Sequence, residues 1–246
     1  MKPVPPSRDA YGQQIRAFLE RGTPVEIVER DDGFVNAGPT NASYFADLRH
    51  WSKPEQRAIR CARGRTALDV GCGAGRVALH LQARGFRVIA IDNSPLAVKT
   101  ARSRGVKDAR LLPFENVGTL PRGIVDTVVM FGNNFGLFGS YSRAKRLLRQ
   151  MHRITRDGAV LLVQSLDPYQ TDEPAHRKYQ RLNRRRGRMS GQIRIRIRYQ
   201  EWVGRWFDYL LVSPAEMSAI VDGTGWDVDR FFTVDNPRYT AVIRRV

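Results

Sequence analysis

Apolar runs alternate with helical segments through the middle of the chain. Five such runs occur, at 66–70, 86–91, 109–114, 124–131 and 159–164. The segments between them have helical periodicity or helix-capping residues, and the longest of these helices is predicted over 141–154. Runs that are apolar throughout are typical of strands buried on both faces, and their alternation with helices favours a parallel sheet. The pattern predicts a doubly wound α/β fold.

Both ends of the chain follow other patterns. The N-terminal part predicts an amphipathic helix over 7–19 and a hairpin turning at Asp31-Asp32-Gly33. The polar, Arg-rich stretch 167–191 shows no periodicity, whereas 192–199 alternates strictly between Ile or Tyr and Arg. Such alternation predicts a half-buried strand, paired antiparallel with 206–212.

These elements divide the chain into four parts. We expect a helical and hairpin cap (1–52), a sheet core (53–166), a substrate lid (167–212) and a C-terminal segment (213–246). The last part contains one helix and two strands that return to the core sheet. The sequence therefore predicts seven core strands, mostly parallel with the last one reversed, and an antiparallel insertion after the fifth.

Composition narrows the class of protein. The chain has 246 residues, of which 42% are apolar, so it can bury a sizeable core. No run of 18 apolar residues and no N-terminal apolar signal occur, so neither a membrane span nor secretion is predicted. Two cysteines and four histidines show no metal-ligand spacing. We expect a cytoplasmic protein with reduced thiols and no bound metal.

Net charge raises the question of an anionic partner. The formal net charge is +17, from 35 Arg and 6 Lys against 24 acidic residues. The dense basic cluster comprises Arg181, Arg184, Arg185, Arg186, Arg188, Arg194, Arg196 and Arg198. This cluster either binds phosphate, on RNA or on a metabolite, or is the solvated face of an edge strand. Nucleic acid is thus a possible partner, although no RNA-binding module is evident.

A glycine-rich turn follows the first core strand. Asp69 precedes Gly71, Gly73 and Gly75, and Arg76 opens the next helix. Glycines at such a junction let a ligand lie against the main chain, and the helix N-terminus favours an anionic group. Asp92 ends the following strand, where a carboxylate accepts hydrogen bonds from ribose hydroxyls.

The spacing Gly-x-Gly-x-Gly differs from the Gly-x-Gly-x-x-Gly of dinucleotide-binding proteins, although an NAD site is the alternative. With Asp69 it resembles motif I of the class I S-adenosylmethionine-dependent methyltransferases. The run Ile89–Pro95, the strand 126–131 and the final helix–strand–turn–strand are also similar to that family. The resemblance implies a Rossmann-like fold, S-adenosylmethionine as cofactor and S-adenosylhomocysteine as product.

The resemblance also implies roles for individual residues. The methionine and ribose portions of the cofactor would contact the turn formed by Asp69, Gly71, Cys72, Gly73, Gly75 and Arg76. Asp92 would hold the ribose, with Asn93 or Ser94 beside the adenine and Glu115-Asn116 near its amino group. The methyl group would lie beside Phe131, Gly132 and Asn133, unless Asn133 only shapes the turn.

Acceptor residues are expected at the carboxyl ends of the strands. The predicted substrate contacts are Tyr44, Trp51, Tyr169, His176, Tyr179, Asn183 and Arg198. His176 is the general-base hypothesis, because imidazole titrates near neutral pH, while Asn133 and Tyr44 complete the predicted catalytic set. For His176 the alternative is a structural or solvated role, and for the aromatic residues it is packing within the lid.

Together these features predict an enzyme that methylates an O or N atom of a small metabolite or natural product. The first alternative is an RNA or protein methyltransferase that uses the Arg cluster to bind its substrate. The second is a regulator that binds the cofactor without turnover. The sequence does not distinguish the acceptor atoms.

Overall fold

The computed structural model describes residues 2–22, 25–38, 41–234 and 236–246. The helices are α1 (Ala10–Arg21), α2 (Lys53–Ile59), α3 (Arg76–Ala83), α4 (Pro95–Ser103), α5 (Tyr141–Ile154), α6 (Pro174–Arg185) and α7 (Pro214–Val221). The first strands are β1 (Glu26–Arg30), β2 (Val35–Gly38), β3 (Thr66–Val70), β4 (Arg87–Asp92), β5 (Ala109–Leu111) and β6 (Val125–Met130). They are followed by β7 (Thr155–Leu166), β8 (Gln192–Tyr199), β9 (Trp202–Val203), β10 (Phe207–Leu210), β11 (Trp226–Val234) and β12 (Asn236–Arg245).

The large sheet has the strand order β11-β12-β7-β6-β3-β4-β5. Strands β3 to β7 pair in parallel, whereas β12 runs antiparallel to both β7 and β11. Every residue of β3 is buried, and the two faces of the sheet pack into separate apolar clusters. The predicted Rossmann-like fold, with seven mostly parallel strands and a reversed last strand, is confirmed.

A second sheet joins the cap to the lid. Its order is β10-β8-β1-β2, with β9 paired to the far end of β8, and all pairs are antiparallel. The hairpin β1–β2 and the pair β8–β10 were both predicted, but their union through β1 and β8 was not. Pairing between segments so far apart in the chain leaves no local pattern in the sequence.

The lid contains a helix that the sequence analysis did not predict. The stretch 167–191 shows no periodicity in the sequence, yet α6 occupies twelve of its residues. Only Tyr179 and Asn183, one helical turn apart, are buried. The other positions are solvated or half-buried, so the apolar repeat is too sparse to reveal the helix.

Helix starts agree with the capping residues in the sequence. Ser52 with Glu55, and Ser213 with Glu216, form reciprocal capping boxes at α2 and α7.

In the part of the chain that the structure describes, no helix has the length and apolar character needed to cross a membrane.

Candidate cofactor and acceptor site

The turn between β3 and α3 has a backbone that suits glycine. Gly71, Gly73 and Gly75 have φ angles of 69°, 54° and 83°, in the left-handed region that side chains disfavour. The N–H groups of Gly71 and Cys72 both donate to the Ile91 carbonyl of β4, at 2.9 and 3.1 Å. The turn is therefore tied to the neighbouring strand.

Two buried carboxyl groups flank this turn. Asp69 accepts a hydrogen bond from the Ala78 N–H of α3, and burial raises its pKa to about 7, partly opposed by Arg76. Asp92 accepts from the Ser94 N–H at 2.9 Å and from the Gly73 N–H at 3.0 Å. Burial raises the pKa of Asp92 to about 6, partly opposed by these two hydrogen bonds. Asp92 is thus ionised at neutral pH.

These residues fit the nucleoside part of S-adenosylmethionine. Each Asp92 oxygen receives one backbone N–H and keeps lone pairs for a further donor, as a ribose diol requires. A side chain on Gly73 would collide with Tyr11, since its Cβ would lie 2.6 Å from the Tyr11 hydroxyl oxygen. A backbone without a side chain at Gly73 and the acid at Asp92 are the features such a ligand needs.

The cap docks on this turn through Asp9. Its carboxylate accepts hydrogen bonds from the Gly12 N–H of α1, the Ser94 hydroxyl and the Leu96 N–H of α4. One buried carboxylate thus serves the N-termini of two helices, where negative charge is favoured. The sequence analysis missed Asp9. An Asp just before a helical pattern is a capping signal, but the second helix that it serves leaves no trace in the sequence.

Tyr11 and Tyr44 cover the glycine turn from the cap side. A Cβ on Gly73 would lie 2.6 Å from the Tyr11 hydroxyl and 3.8 Å from the Tyr44 ring. The two rings meet edge to face, with centroids 5.6 Å apart. Burial raises the pKa of both phenols well above the usual value, so both are neutral. Tyr44 was predicted here, whereas no motif marked Tyr11.

The lid reaches the same place through Tyr209, which was also missed. Its hydroxyl donates to the Asn133 carbonyl at 2.6 Å. Asn133 has a φ of 66° and lies just beyond β6, and its N–H donates to Gln164 Oε1. Next to it, the Asn134 amide donates to the carbonyls of Val70 and Gly71. Asn134 thus bonds the glycine turn, while its neighbour Asn133, the predicted methyl-side residue, bonds the lid.

Glu26 of β1 lies beside Tyr44. The Tyr44 hydroxyl lies 3.2 Å from both Glu26 carboxylate oxygens, and Gln14 Nε2 donates to one of them. The register of β1 places Glu26 on the same face as Val28, opposite Glu29. We call Tyr11, Glu26, Tyr44 and Tyr209 the acceptor cluster. The sequence analysis did not find Glu26, because an acid in a short strand carries no positional signal.

Other predicted cofactor residues surround the turn. Arg76 pairs with Glu55 at 2.5 Å and lies over the Trp51 ring at 4.7 Å. Cys72 is buried in the turn, and its thiol pKa is raised by burial. Ser94 caps α4, and the Asn93 carbonyl accepts the Val4 N–H. Their direct contact with cofactor stays a prediction.

The remaining cofactor residues lie beyond the turn. Glu115 forms an ion pair with Arg143 of α5, and the Asn116 carbonyl accepts the Thr119 hydroxyl. Phe131 is buried and meets the Trp51 ring edge to face, while Gly132 is exposed with a φ of 72°. The proximity of Glu115 and Asn116 to adenine, and of Phe131 and Gly132 to the methyl group, also stays a prediction.

The lid residues predicted to contact substrate have partners in the cap and the lid. Asn183 is fully buried and donates to the carbonyls of Ser190 and Gln192. The Tyr179 hydroxyl donates to Asp31 at 2.6 Å, and its ring lies under the Arg30 guanidinium. Asn183 therefore ties α6 to the start of β8 within the lid, and Tyr179 ties α6 to the cap. Contact of either residue with substrate stays a prediction.

His176 and the three other predicted residues also have partners outside the glycine turn. His176 Nδ1 lies 3.0 Å from the Thr171 hydroxyl, its ring meets Phe34, and burial lowers its pKa. Tyr169 is half exposed and donates to Glu216, and Arg198 pairs with Glu29. Trp51 is buried, and its indole N–H donates to the Ala46 carbonyl. Contact of these four residues with substrate stays a prediction. The role of His176 as a general base also stays a prediction.

Metal ligation finds no support in the described ranges. Within them, no group of three or more His, Cys, Asp or Glu side chains lies close enough together to hold a metal ion.

Comparisons with known proteins agree with this geometry. A family model described as a methyltransferase domain matches residues 68–163, from the middle of β3 to β7. The structure is similar to an S-adenosylmethionine-dependent methyltransferase from Bacteroides fragilis in complex with S-adenosyl-L-homocysteine. The TM-score is 0.84 at 27% identity, covering 100% of this chain and 98% of that one.

Two further matches cover less of this chain. A methyltransferase structure from Methanosarcina mazei has a TM-score of 0.61 at 15% identity, covering 76% of this chain and 96% of that one, which shows the shared fold. The malonyl-[acyl-carrier protein] O-methyltransferase of Yersinia pestis is 34% identical over 110 residues. That match spans 45% of this chain and only 40% of the relative's length.

The glycine turn, the acid at the end of β4 and the reversed last strand agree with the likeness to a methyltransferase structure with bound S-adenosylhomocysteine. The structure and the comparisons together support a class I S-adenosylmethionine-dependent methyltransferase.

Proposed function

We propose that this chain transfers the methyl group of S-adenosylmethionine to an O or N atom of a small molecule. The observation that carries the proposal is the enclosure of the glycine turn by the chain's own cap and lid. Tyr11 and Tyr44 cover the turn from one side, and Tyr209 bonds the end of β6 from the other. Such a cover suits an acceptor that enters a pocket better than a polymer that lies across a groove.

When bound, the cofactor supplies an electrophilic methyl group on a sulfonium. The residues of this chain would then have to bind and orient the cofactor and the acceptor, and exclude water. Asp92 would hold the ribose, and the backbone at Gly73 would lie against the ligand. The acceptor cluster would fix the nucleophilic atom in line with the methyl carbon and keep water out, which lowers the barrier without any further catalyst.

The Arg cluster supports this choice over RNA. Arg196 and Arg198 both pair with Glu29, while Arg188 and Arg194 both pair with Asp208. In addition, Arg184 donates to the Ser190 hydroxyl. Two carboxylates thus partly compensate four guanidinium groups, and compensated charges contribute less to binding a phosphate backbone. The outer face of β8 is therefore best explained as a solvated, internally paired surface.

Label transfer tests the proposal. The protein is incubated with methyl-labelled cofactor and a whole-cell extract, which is then separated into small-molecule, RNA and protein fractions. Label among small molecules is the expected result, with incorporation that changes little between 50 and 200 mM salt. Label in RNA that falls steeply over this salt range would overturn the proposal in favour of a nucleic-acid substrate. Cofactor binding without label in any fraction would favour the regulator.

A further inference from the structure

A carboxylate and three tyrosines form the acceptor side of the site, although the protein as a whole carries a net charge of +17. The four residues come from α1, β1, the segment that follows β2, and β10. Tyr44 bonds both oxygens of Glu26, and the Tyr11 ring meets the Tyr44 ring. Tyr209 bonds the Asn133 carbonyl beside the glycine turn.

Glu26 acts electrostatically on each of these tyrosines. Burial is the main cause of the raised pKa of Tyr11, Tyr44 and Tyr209, and the charge of Glu26 adds to each. At Tyr11 the contributions of Tyr44 and Asp92 are larger than that of Glu26, and at Tyr44 the charge of Arg76 opposes it. All three phenols are therefore neutral at physiological pH, and each presents an aromatic ring. A carboxylate among neutral aromatic rings is the environment that attracts an organic cation, through charge pairing and cation–π contact.

A further acceptor atom lies close by. In the part of the chain that the structure describes, no donor reaches the Asn133 side-chain oxygen, although that atom is buried. Asn133 also carries the carbonyl that receives the Tyr209 hydroxyl. Buried acceptors without a donor are rare in folded proteins, and an N–H of a bound ligand would satisfy this one.

We propose that the methyl acceptor is a small amine, bound as its ammonium by Glu26 within the acceptor cluster. This inference rests on the proposed function and names its substrate class. A carboxylic-acid acceptor would meet repulsion from Glu26. An aliphatic hydroxyl would gain no charge pairing, and a carboxylate is too weak a base to ionise it.

The transfer balances in atoms and charge. The ammonium loses one proton to water, which exposes the nitrogen lone pair beside the Glu26 carboxylate. The nitrogen forms a bond to the methyl carbon, and the carbon–sulfur bond breaks with its electron pair left on sulfur. The products are the methylated ammonium, S-adenosylhomocysteine and the proton released to water.

The test measures binding of simple probes to protein saturated with S-adenosylhomocysteine. Benzylammonium, benzyl alcohol and benzoate share one ring and differ in charge, and ligand-observed NMR compares them. Benzylammonium is expected to bind at least tenfold more tightly than the other two. Benzoate or benzyl alcohol binding as tightly as benzylammonium, or no benzylammonium binding at all, would overturn the inference. This comparison needs no variant.

Two matched variants locate the site. Glu26→Gln should weaken benzylammonium binding at least tenfold, whereas Glu29→Gln, on the opposite face of the same strand, should leave it within twofold. Both variants should retain S-adenosylhomocysteine affinity within about threefold. An unchanged benzylammonium affinity in Glu26→Gln would refute the role of Glu26 while the methyltransferase proposal stands. Failure of the unmodified protein to bind S-adenosylhomocysteine would refute the proposed function itself.

Discussion

The two sheets of this protein differ in how their functional residues are encoded. In the large sheet, β3 and β4 are parallel neighbours, so residues at their carboxyl ends meet because the strands pair. Asp69, the glycines and Asp92 lie within one strand–helix–strand unit and form the cofactor side. In the small sheet, the acceptor cluster draws on the cap and on the lid. A local motif thus builds one half of the site, and long-range pairing builds the other.

The largest expected effect concerns the glycine turn, which the local motif encodes. Gly73→Val should reduce S-adenosylhomocysteine affinity at least about 100-fold, because Gly73 has a φ of 54° and its Cβ would lie 2.6 Å from the Tyr11 hydroxyl. Titration calorimetry measures the loss. Gly85→Val is the matched control, since Gly85 has a φ of 87° but open space around its Cβ position. Equal affinity in both variants would mean that the turn does not hold the cofactor.

The next effect concerns Asp9, which joins the cap to the large sheet's helix α4. Asp9→Ala should lower the free energy of unfolding by about 3 kcal/mol, because it removes a helix cap and leaves the Ser94 hydroxyl and the Leu96 N–H without their acceptor. Urea denaturation checks this value. Asp47→Ala should leave the free energy of unfolding nearly unchanged, since Asp47 is exposed and makes no side-chain cap bond to its own short helix. A loss of the same size in both would show that Asp9 does not anchor the cap.

Asp92 provides a smaller, pH-dependent effect. Asp92→Asn should weaken S-adenosylhomocysteine binding by about 2 kcal/mol, because ribose hydroxyls bond an ionised acceptor more strongly. The pKa of Asp92 is raised to about 6, so affinity in the unmodified protein should be full above pH 7 and fall as pH drops through 6. The variant should lack this component. A pH profile that is the same in both proteins would mean that Asp92 does not bind the ligand.

The smallest effect concerns the outer face of the small sheet. Hydrogen bonds from Arg196 and Arg198 lower the pKa of Glu29, so its ion pairs stabilise the protein above pH 4.5 and are lost as the carboxylate protonates at lower pH. Glu29→Gln should cost less than about 1 kcal/mol at pH 7, since these pairs are partly solvated. Thermal melts at pH 7 and pH 3 should show this small gap closing. A larger gap at pH 3 would contradict the ion-pair explanation.

Sequence patterns were most informative where structure is local. The bounds predicted for the helix 141–154 and the strand 192–199 agreed with α5 and β8, because each depends on neighbouring residues. Helix α6 was missed because it buries only Tyr179 and Asn183. Several predicted substrate residues were chosen by type within the lid, and the structure places Asn183 in contacts within the lid and Tyr179 in a contact with the cap.

The sequence by itself predicted the resemblance to class I methyltransferases, the glycine turn and the buried strands of the large sheet. Those features follow from backbone geometry and from side-chain periodicity over a few residues. Only the tertiary structure decided that β1 pairs with β8, that Asp9 serves two helices, and that Glu26 accepts the Tyr44 hydroxyl. Such contacts depend on how distant segments pack against one another. No short stretch of the chain carries that information.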